Sequence, residues 1–133
     1  MKLRLDYVTN SSSSSFIIAK HKDLTMDEIE TVLNGIRGNI EDLLSSYRGE
    51  FDCSYVNSDV LKMAYGGGEL EAAVDMAIKE IAFNLSGANF SDLVLDNWYV
   101  SSEHASNEDS ELFSCALYDF GHLMQTEHLK ITD

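Results

Sequence analysis

Hydrophobic and polar residues alternate at the start of the chain. Leu3, Leu5 and Tyr7 are separated by charged residues, which is the period of two expected of a strand with one buried face. After a run of serines, residues 16–19 form a short apolar stretch containing a phenylalanine and two isoleucines, a composition typical of a buried strand. The pattern predicts an amino-terminal β-loop-β unit in which the serine run is the loop.

The next segment, residues 25–48, has the periodicity of an amphipathic helix. Thr25 and Glu28 have the spacing of a capping box, and apolar residues then recur at intervals of three and four. Gly35 and Gly38 interrupt the segment, and a glycine in a helix interior costs about 1 kcal/mol relative to alanine. Either one helix kinks at these glycines or two helices meet at a turn, and the preferred prediction is one kinked helix.

A second amphipathic helix is predicted over residues 69–85. Its apolar side chains form a continuous stripe. Glu69 and Glu71 lie in its first turn, where negative charge suits the helix dipole. Between the two long helices, the pattern favours a short strand at residues 51–56 and a helical turn at residues 59–65.

The carboxy-terminal part of the chain has the composition of β-structure. Residues 93–100 and 112–118 are aromatic and aliphatic runs separated by a polar, acidic stretch, which predicts an antiparallel hairpin with a long, exposed and mobile loop at residues 101–111. The pattern of the tail from Gly121 is ambiguous, and it is compatible with a short helix beginning at residues 122–124 and with an edge strand at residues 129–131.

Together these elements predict one α+β domain spanning residues 1–133. Its mixed or antiparallel sheet, made of the amino-terminal β-loop-β unit and the carboxy-terminal hairpin, is packed with two amphipathic helices. The composition, 44% hydrophobic and 24% charged residues, is that of a globular protein. Cys53 and Cys115 are too few and too far apart for a disulfide framework, so two buried thiols are expected.

Charge changes the functional interpretation most. The formal net charge is −14, from 23 acidic and 9 basic residues. Such a surface repels phosphate backbones and anionic lipids and attracts basic partners. Direct binding to nucleic acid or to a membrane is therefore not expected. The opening segment lacks the apolar core of a secretory signal, so we expect a cytoplasmic protein.

Catalytic and metal-binding motifs do not emerge from the sequence. No Cys-x-x-Cys pair or Gly-x-Ser-x-Gly elbow occurs, and His21, His104, His122 and His128 have no metal-ligand spacing. We therefore predict no catalytic residue, no metal and no cofactor, and the sequence favours a binding protein over an enzyme.

The first 18 residues form a distinctive opening segment. It includes the run Val-Thr-Asn-Ser-Ser-Ser-Ser-Ser-Phe at residues 8–16. The segment resembles an amino-terminal signature of uncharacterised bacterial and bacteriophage proteins that begin alike and then diverge. The resemblance implies a prokaryotic or phage setting. It implies no activity, cofactor or catalytic residue.

Two functional hypotheses follow. The first is a protein-interaction or regulatory module that engages a basic partner, with nucleic-acid charge mimicry as one form and self-association through an apolar face left open. Its acidic contacts are Glu41, Asp42, Glu103, Glu108, Asp109 and Glu111. The alternative is a small-molecule site or enzyme at the serine loop, where Asn10 and Ser13 would converge with His21 or His122. The candidate binding residues of that loop are Asn10, Ser11, Ser12, Ser13, Ser14 and Ser15.

Overall fold

A computed structural model describes residues 13–47, 51–66, 69–86, 94–106 and 110–132. The elements in chain order are β1 (Ser13–His21), α1 (Met26–Asn34), α2 (Arg37–Tyr47), α3 (Ser58–Gly66), α4 (Leu70–Ser86), β2 (Val94–Leu95), β3 (Trp98–Ser106), α5 (Leu112–Phe120), a 3₁₀ turn (Gly121–Leu123) and β4 (Leu129–Thr132). The predicted α+β class is confirmed. None of the helices in these ranges combines the length and hydropathy needed to traverse a lipid bilayer.

The described strands form one antiparallel sheet in the order β2-β3-β1-β4. Phe16 and Ile18 of β1 are buried, whereas Ile17 between them is 47% exposed, as the alternation of side chains along a strand requires. The predicted strand at residues 16–19 and the predicted edge strand at residues 129–131 are both confirmed. The strand predicted near Leu3 lies outside the described residues.

The described part of the serine run, residues 13–15, is not the loop that the sequence predicted. Ser13, Ser14 and Ser15 belong to β1 and pair with the segment from His104 to Ser106 of β3. Pairing with β3 gives their backbone groups partners, which outweighs the turn preference of serine. Ser14 is buried and Ser15 is exposed, so the alternation of β1 continues through the serines.

The segment predicted as one kinked helix is two helices, so the preferred prediction was wrong. The amide of Gly35 donates to the carbonyls of both Thr31 and Val32, and that of Ile36 donates to Leu33. The bonds to Val32 and Leu33 are of the tighter 3₁₀ type and mark the end of the α-helical ladder of α1, and α2 begins at Arg37. One half of the predicted capping box is confirmed, because the hydroxyl of Thr25 accepts a hydrogen bond from the amide of Glu28 at 3.2 Å. The Glu28 carboxylate, which the other half of the box requires, is bonded to His128.

The predicted carboxy-terminal hairpin was also wrong. Residues 112–118 lie in helix α5, where every side chain except that of Asp119 is buried. A short, mostly apolar run, in which even Ser114 is buried, has no period that separates a buried helix from a buried strand. Residues 101–106 belong to β3, so they are not part of a long loop, and the hairpin turn lies at Asp96 and Asn97, which have φ of 52° and 71°.

Helix α4 is the centre of the packing. It contacts α1, α2, α3 and α5, and α5 in turn contacts β3, so the helices and one face of the sheet share a continuous apolar core. The helical turn predicted at residues 59–65 is the nine-residue helix α3, and the helix predicted at residues 69–85 is confirmed as α4. Cys115 lies in this core, Cys53 is half-buried, and the two form no disulfide.

Candidate functional site

Three side chains with metal-ligating atoms meet at one end of the sheet. His21 is the last residue of β1, Asp23 lies in the turn that follows, and His128 directly precedes β4. The amide of His21 donates to the carbonyl of His128 at 2.8 Å, which brings the two imidazole rings to a centroid distance of 5.2 Å. We call His21, Asp23 and His128 the histidine cluster.

The ligating atoms of the histidine cluster lie within 4.8 Å of one another. Nδ1 of His21 is 3.6 Å from Oδ2 of Asp23 and accepts a hydrogen bond of 3.1 Å from the Asp23 amide. The indole of Trp98, which pairs with His21 across the sheet, meets the His21 ring edge-on at 5.1 Å. Both imidazoles are partly buried, while the carboxylate of Asp23 is 64% exposed.

Glu28 orients one of the imidazoles. Its Oε1 lies 2.8 Å from Nδ1 of His128, and its Oε2 accepts a hydrogen bond of 3.2 Å from the His128 amide. Hydrogen bonds from Thr126 and then from His128 lower the pKa of the Glu28 carboxyl. The bond to Glu28 in turn raises the pKa of His128. The capping-box glutamate therefore uses its carboxylate to hold the segment before β4.

A second carboxylate, that of Glu80, is completely buried on α4. It accepts hydrogen bonds from the amides of Ser54 and Tyr55 at 2.7 Å and of Val56 at 2.8 Å, and from the side-chain amide of Asn84 at 2.9 Å. These contacts hold residues 51–57 as a bent loop. The strand predicted at residues 51–56 was therefore wrong, because its amide groups turn towards Glu80 and only one bridge to another segment remains in the described part of the chain.

The loop held by Glu80 presents an aromatic side chain at the surface. Tyr55 is 58% exposed and stacks on Phe83 of α4, itself 41% exposed, at a ring distance of 4.9 Å. Met26 of α1 lines the same groove, together with Glu30 and Lys79. We call Met26, Tyr55 and Phe83 the aromatic patch.

The same loop also contributes to a group of carboxylates. Asp52 forms a parallel bridge with Glu111, and its carboxylate accepts a hydrogen bond of 2.6 Å from the hydroxyl of Ser110. Burial, and then the charge of Glu111, raises the pKa of Glu103 on β3. Burial, followed by charges that include those of Asp52 and Glu111, raises the pKa of the Cys53 thiol to about 12. We call Asp52, Glu103 and Glu111 the acidic corner.

The predicted acidic contacts are only partly brought together. The charge of Glu111 acts on Glu103, whereas Glu41 and Asp42 are exposed on α2. Glu108 and Asp109 lie outside the described residues. Asp52 was missed, because the bridge that joins it to Glu111 connects segments far apart in sequence.

Ser13 of the predicted serine site does not lie close to His21, the nearer in sequence of the two histidines that the hypothesis named. Ser13 and His21 lie at opposite ends of β1, and eight residues of strand span about 26 Å. The residue opposite Ser15 across the sheet is His104. Asn10, Ser11 and Ser12 lie outside the described residues.

Sequence analysis missed both Glu80 and the histidine cluster. Glu80 follows Ala73 by seven residues and so lies on the apolar stripe of α4, a position from which its burial was predictable. No comparable signal exists for His21 and His128, because only the pairing of β1 with β4 brings them together.

Comparisons with known proteins found no matching family model, no matching curated protein and no matching solved structure.

Proposed function

We propose that this chain is a protein-binding module that engages a positively charged partner. The observation that supports the proposal most directly is the loop at residues 51–57. Asp52 of the acidic corner and Tyr55 of the aromatic patch are both on this loop, three residues apart, and the buried carboxylate of Glu80 fixes its backbone. One loop thus has an exposed acidic residue three positions before an exposed aromatic residue.

The aromatic patch has the properties of an interface anchor. Tyrosine is enriched among the residues that contribute most to protein–protein affinity. Tyr55 is already held by stacking on Phe83, and the Glu80 contacts fix its backbone. Little conformational entropy remains to be lost on binding, which favours affinity.

The acidic corner supplies the selectivity for a basic partner. Asp52 is bridged to Glu111, and the charge of Glu111 acts on Glu103. In a chain of net charge −14, these acidic residues contribute to a negative field that attracts lysine- and arginine-rich surfaces. The raised pKa of Glu103 shows that burial and the charge of Glu111 disfavour its ionised form. A basic partner would relieve that repulsion, and a surface that binds nucleic acid is one such partner, which is the charge-mimicry form of the proposal.

The test is affinity purification from the host lysate with the full-length chain as bait, followed by purification of the captured protein and measurement of its dissociation constant. We expect a basic protein whose affinity falls as salt rises from about 50 mM to about 500 mM, because exposed charges are screened over that range. Tyr55→Ala and Phe83→Ala should each weaken binding about tenfold or more at every salt concentration. Asp52→Asn with Glu111→Gln should weaken it mainly at low salt.

Leu123→Ala is the matched control, since Leu123 is 39% exposed and lies outside the aromatic patch. It should bind as the wild type does. The proposal is contradicted if the dissociation constant of the captured partner changes neither with salt concentration nor with the Tyr55→Ala and Phe83→Ala substitutions. Tight binding of the purified chain to DNA or RNA at ordinary ionic strength contradicts it as well.

A further inference from the structure

We propose that the histidine cluster is a binding site for a divalent transition-metal ion of the Zn²⁺ class, with His21, Asp23 and His128 as ligands. The cluster is at the end of the sheet where β1 and β4 pair. The proposal uses none of the residues of the aromatic patch or the acidic corner, so it can fail or succeed independently of the proposed protein-binding function.

The donor set selects the class of ion. Two imidazoles and one carboxylate suit Zn²⁺ and its neighbours in the first transition row, whereas Ca²⁺ and Mg²⁺ prefer oxygen ligands alone. Two donors on a tetrahedral zinc ion are about 3.3 Å apart, given bonds of about 2.0–2.1 Å. The donors of the cluster lie within 4.8 Å of one another, so rotations of the His21 ring and of the exposed Asp23 side chain are needed to bring them to that spacing.

The environment of His128 favours metal binding. A ligating histidine commonly donates its second ring N–H to a carboxylate, which fixes the tautomer and the ring orientation. The contact of 2.8 Å between Nδ1 of His128 and Glu28 is of this kind. With the proton on Nδ1, the lone pair of Nε2 is available for a metal ion. Glu28 is thus a positioning residue and not a ligand.

The other ligands are held by the sheet and its following turn. The bond from the His21 amide to the His128 carbonyl fixes the separation of the two backbones, and the ring of Trp98 packs against that of His21. Nδ1 of His21 accepts a hydrogen bond from the Asp23 amide. An ion bound at Nδ1 would replace that bond, and at 3.6 Å the Asp23 carboxylate is near enough to join it.

Three protein ligands leave one position of a tetrahedral ion open. Structural zinc centres usually have four protein ligands and are required for folding, whereas centres with three keep a site for water or another ligand. The core of this chain is built by the apolar cluster of helices and sheet. We therefore expect the chain to fold without metal and to gain only the stability that ligand binding adds by mass action.

The test is calorimetric titration of chelator-treated, full-length protein with ZnCl₂, together with absorption spectroscopy of the Co²⁺ complex. We expect one ion per chain. His21→Ala and His128→Ala should each reduce zinc affinity at least tenfold. His104→Ala is the matched control, because His104 is an exposed histidine on the same sheet, and it should leave the affinity unchanged.

Glu28→Gln tests the positioning role. Loss of such an outer contact typically reduces metal affinity about 10–100-fold, and we expect that loss with an unchanged circular dichroism spectrum. Glu30→Gln on the same helix should have no effect.

Failure of the wild-type chain to bind Zn²⁺ would overturn the proposal, and so would either of two further results. One is zinc affinity that survives the combined His21→Ala and His128→Ala substitutions. The other is a thiolate charge-transfer band in the Co²⁺ spectrum, because it would place the ion on a cysteine. All variants are checked for folding by circular dichroism and urea denaturation, so loss of metal binding is not confused with loss of structure.

Discussion

Glu80 and Glu28 both use a carboxylate to hold a neighbouring segment, but in different surroundings. Glu80 is fully buried and accepts hydrogen bonds from three backbone amides and from the side chain of Asn84. A carboxylate has about four acceptor sites, so these bonds leave none free for another ligand. Glu28 is 25% exposed and is bonded to the ring of His128, whose other nitrogen is not used in that contact. The first carboxylate shapes the fold, whereas the second orients a group capable of further chemistry.

The largest expected effect is that of Glu80→Ala. The substitution leaves three amides of the loop at residues 51–57 without their buried acceptor. Unsatisfied buried groups cost about 1–3 kcal/mol each, and water entering the vacated space offsets part of that. We expect the free energy of unfolding to fall by about 3–5 kcal/mol, measured by urea denaturation.

Glu80→Gln retains one acceptor oxygen and should lose about half as much. Lys79→Ala, at the neighbouring exposed position of α4, should leave the stability almost unchanged. Equal stabilities for Glu80→Ala and Lys79→Ala would show that the carboxylate does not hold the loop.

A smaller effect of opposite sign is expected at Glu103. Its pKa in the folded chain is raised, first by burial and then by the charge of Glu111, so its ionised form destabilises the folded state. Glu103→Gln should therefore raise the free energy of unfolding at pH 7. The gain should shrink as the pH falls through the raised pKa and vanish below the ordinary value, where the wild-type carboxyl is protonated in both states.

Urea denaturation at several pH values checks this prediction. Glu41→Gln, on the exposed face of α2, is the matched control and should show no such pH-dependent difference. A stabilisation by Glu103→Gln that persists unchanged at low pH would assign the effect to side-chain packing instead of charge.

The elements that sequence predicted most completely are those with a clear period. Helix α4 has one apolar stripe. Residues 16–19 of β1 have no such period, and their strand was predicted from the β-branched and aromatic residues alone, so the exposure of Ile17 between buried Phe16 and Ile18 was not predicted. Helix α5 was predicted as a strand because burial on all sides removes the polar positions that reveal a period. The turn at Asp96 and Asn97 was missed, although residues of this type tolerate positive φ and commonly form hairpin turns.

The candidate site was less predictable than the fold. The acidic character of the surface follows from composition alone. Glu103 and Glu111 were predicted as contacts of one surface because they are only eight positions apart in the sequence. The histidine cluster depends on the register of β1 against β4, where Lys20 pairs with Leu129. A shift of one residue would move His128 to the other face of the sheet, and no local pattern fixes that register.

The smallest expected effect on stability is that of Glu28→Gln. Glu28 and His128 are 25% and 28% exposed, and water compensates for much of a bond lost at such a site. The hydroxyl of Thr25 still caps α1 through the amide at position 28, so the helix keeps its start. We expect a loss of stability far below that of Glu80→Ala in the same urea denaturation, with Glu30→Gln as control. Equal losses at Glu28 and Glu80 would contradict the distinction between them, since Glu28 would then be as necessary to the fold as the buried carboxylate.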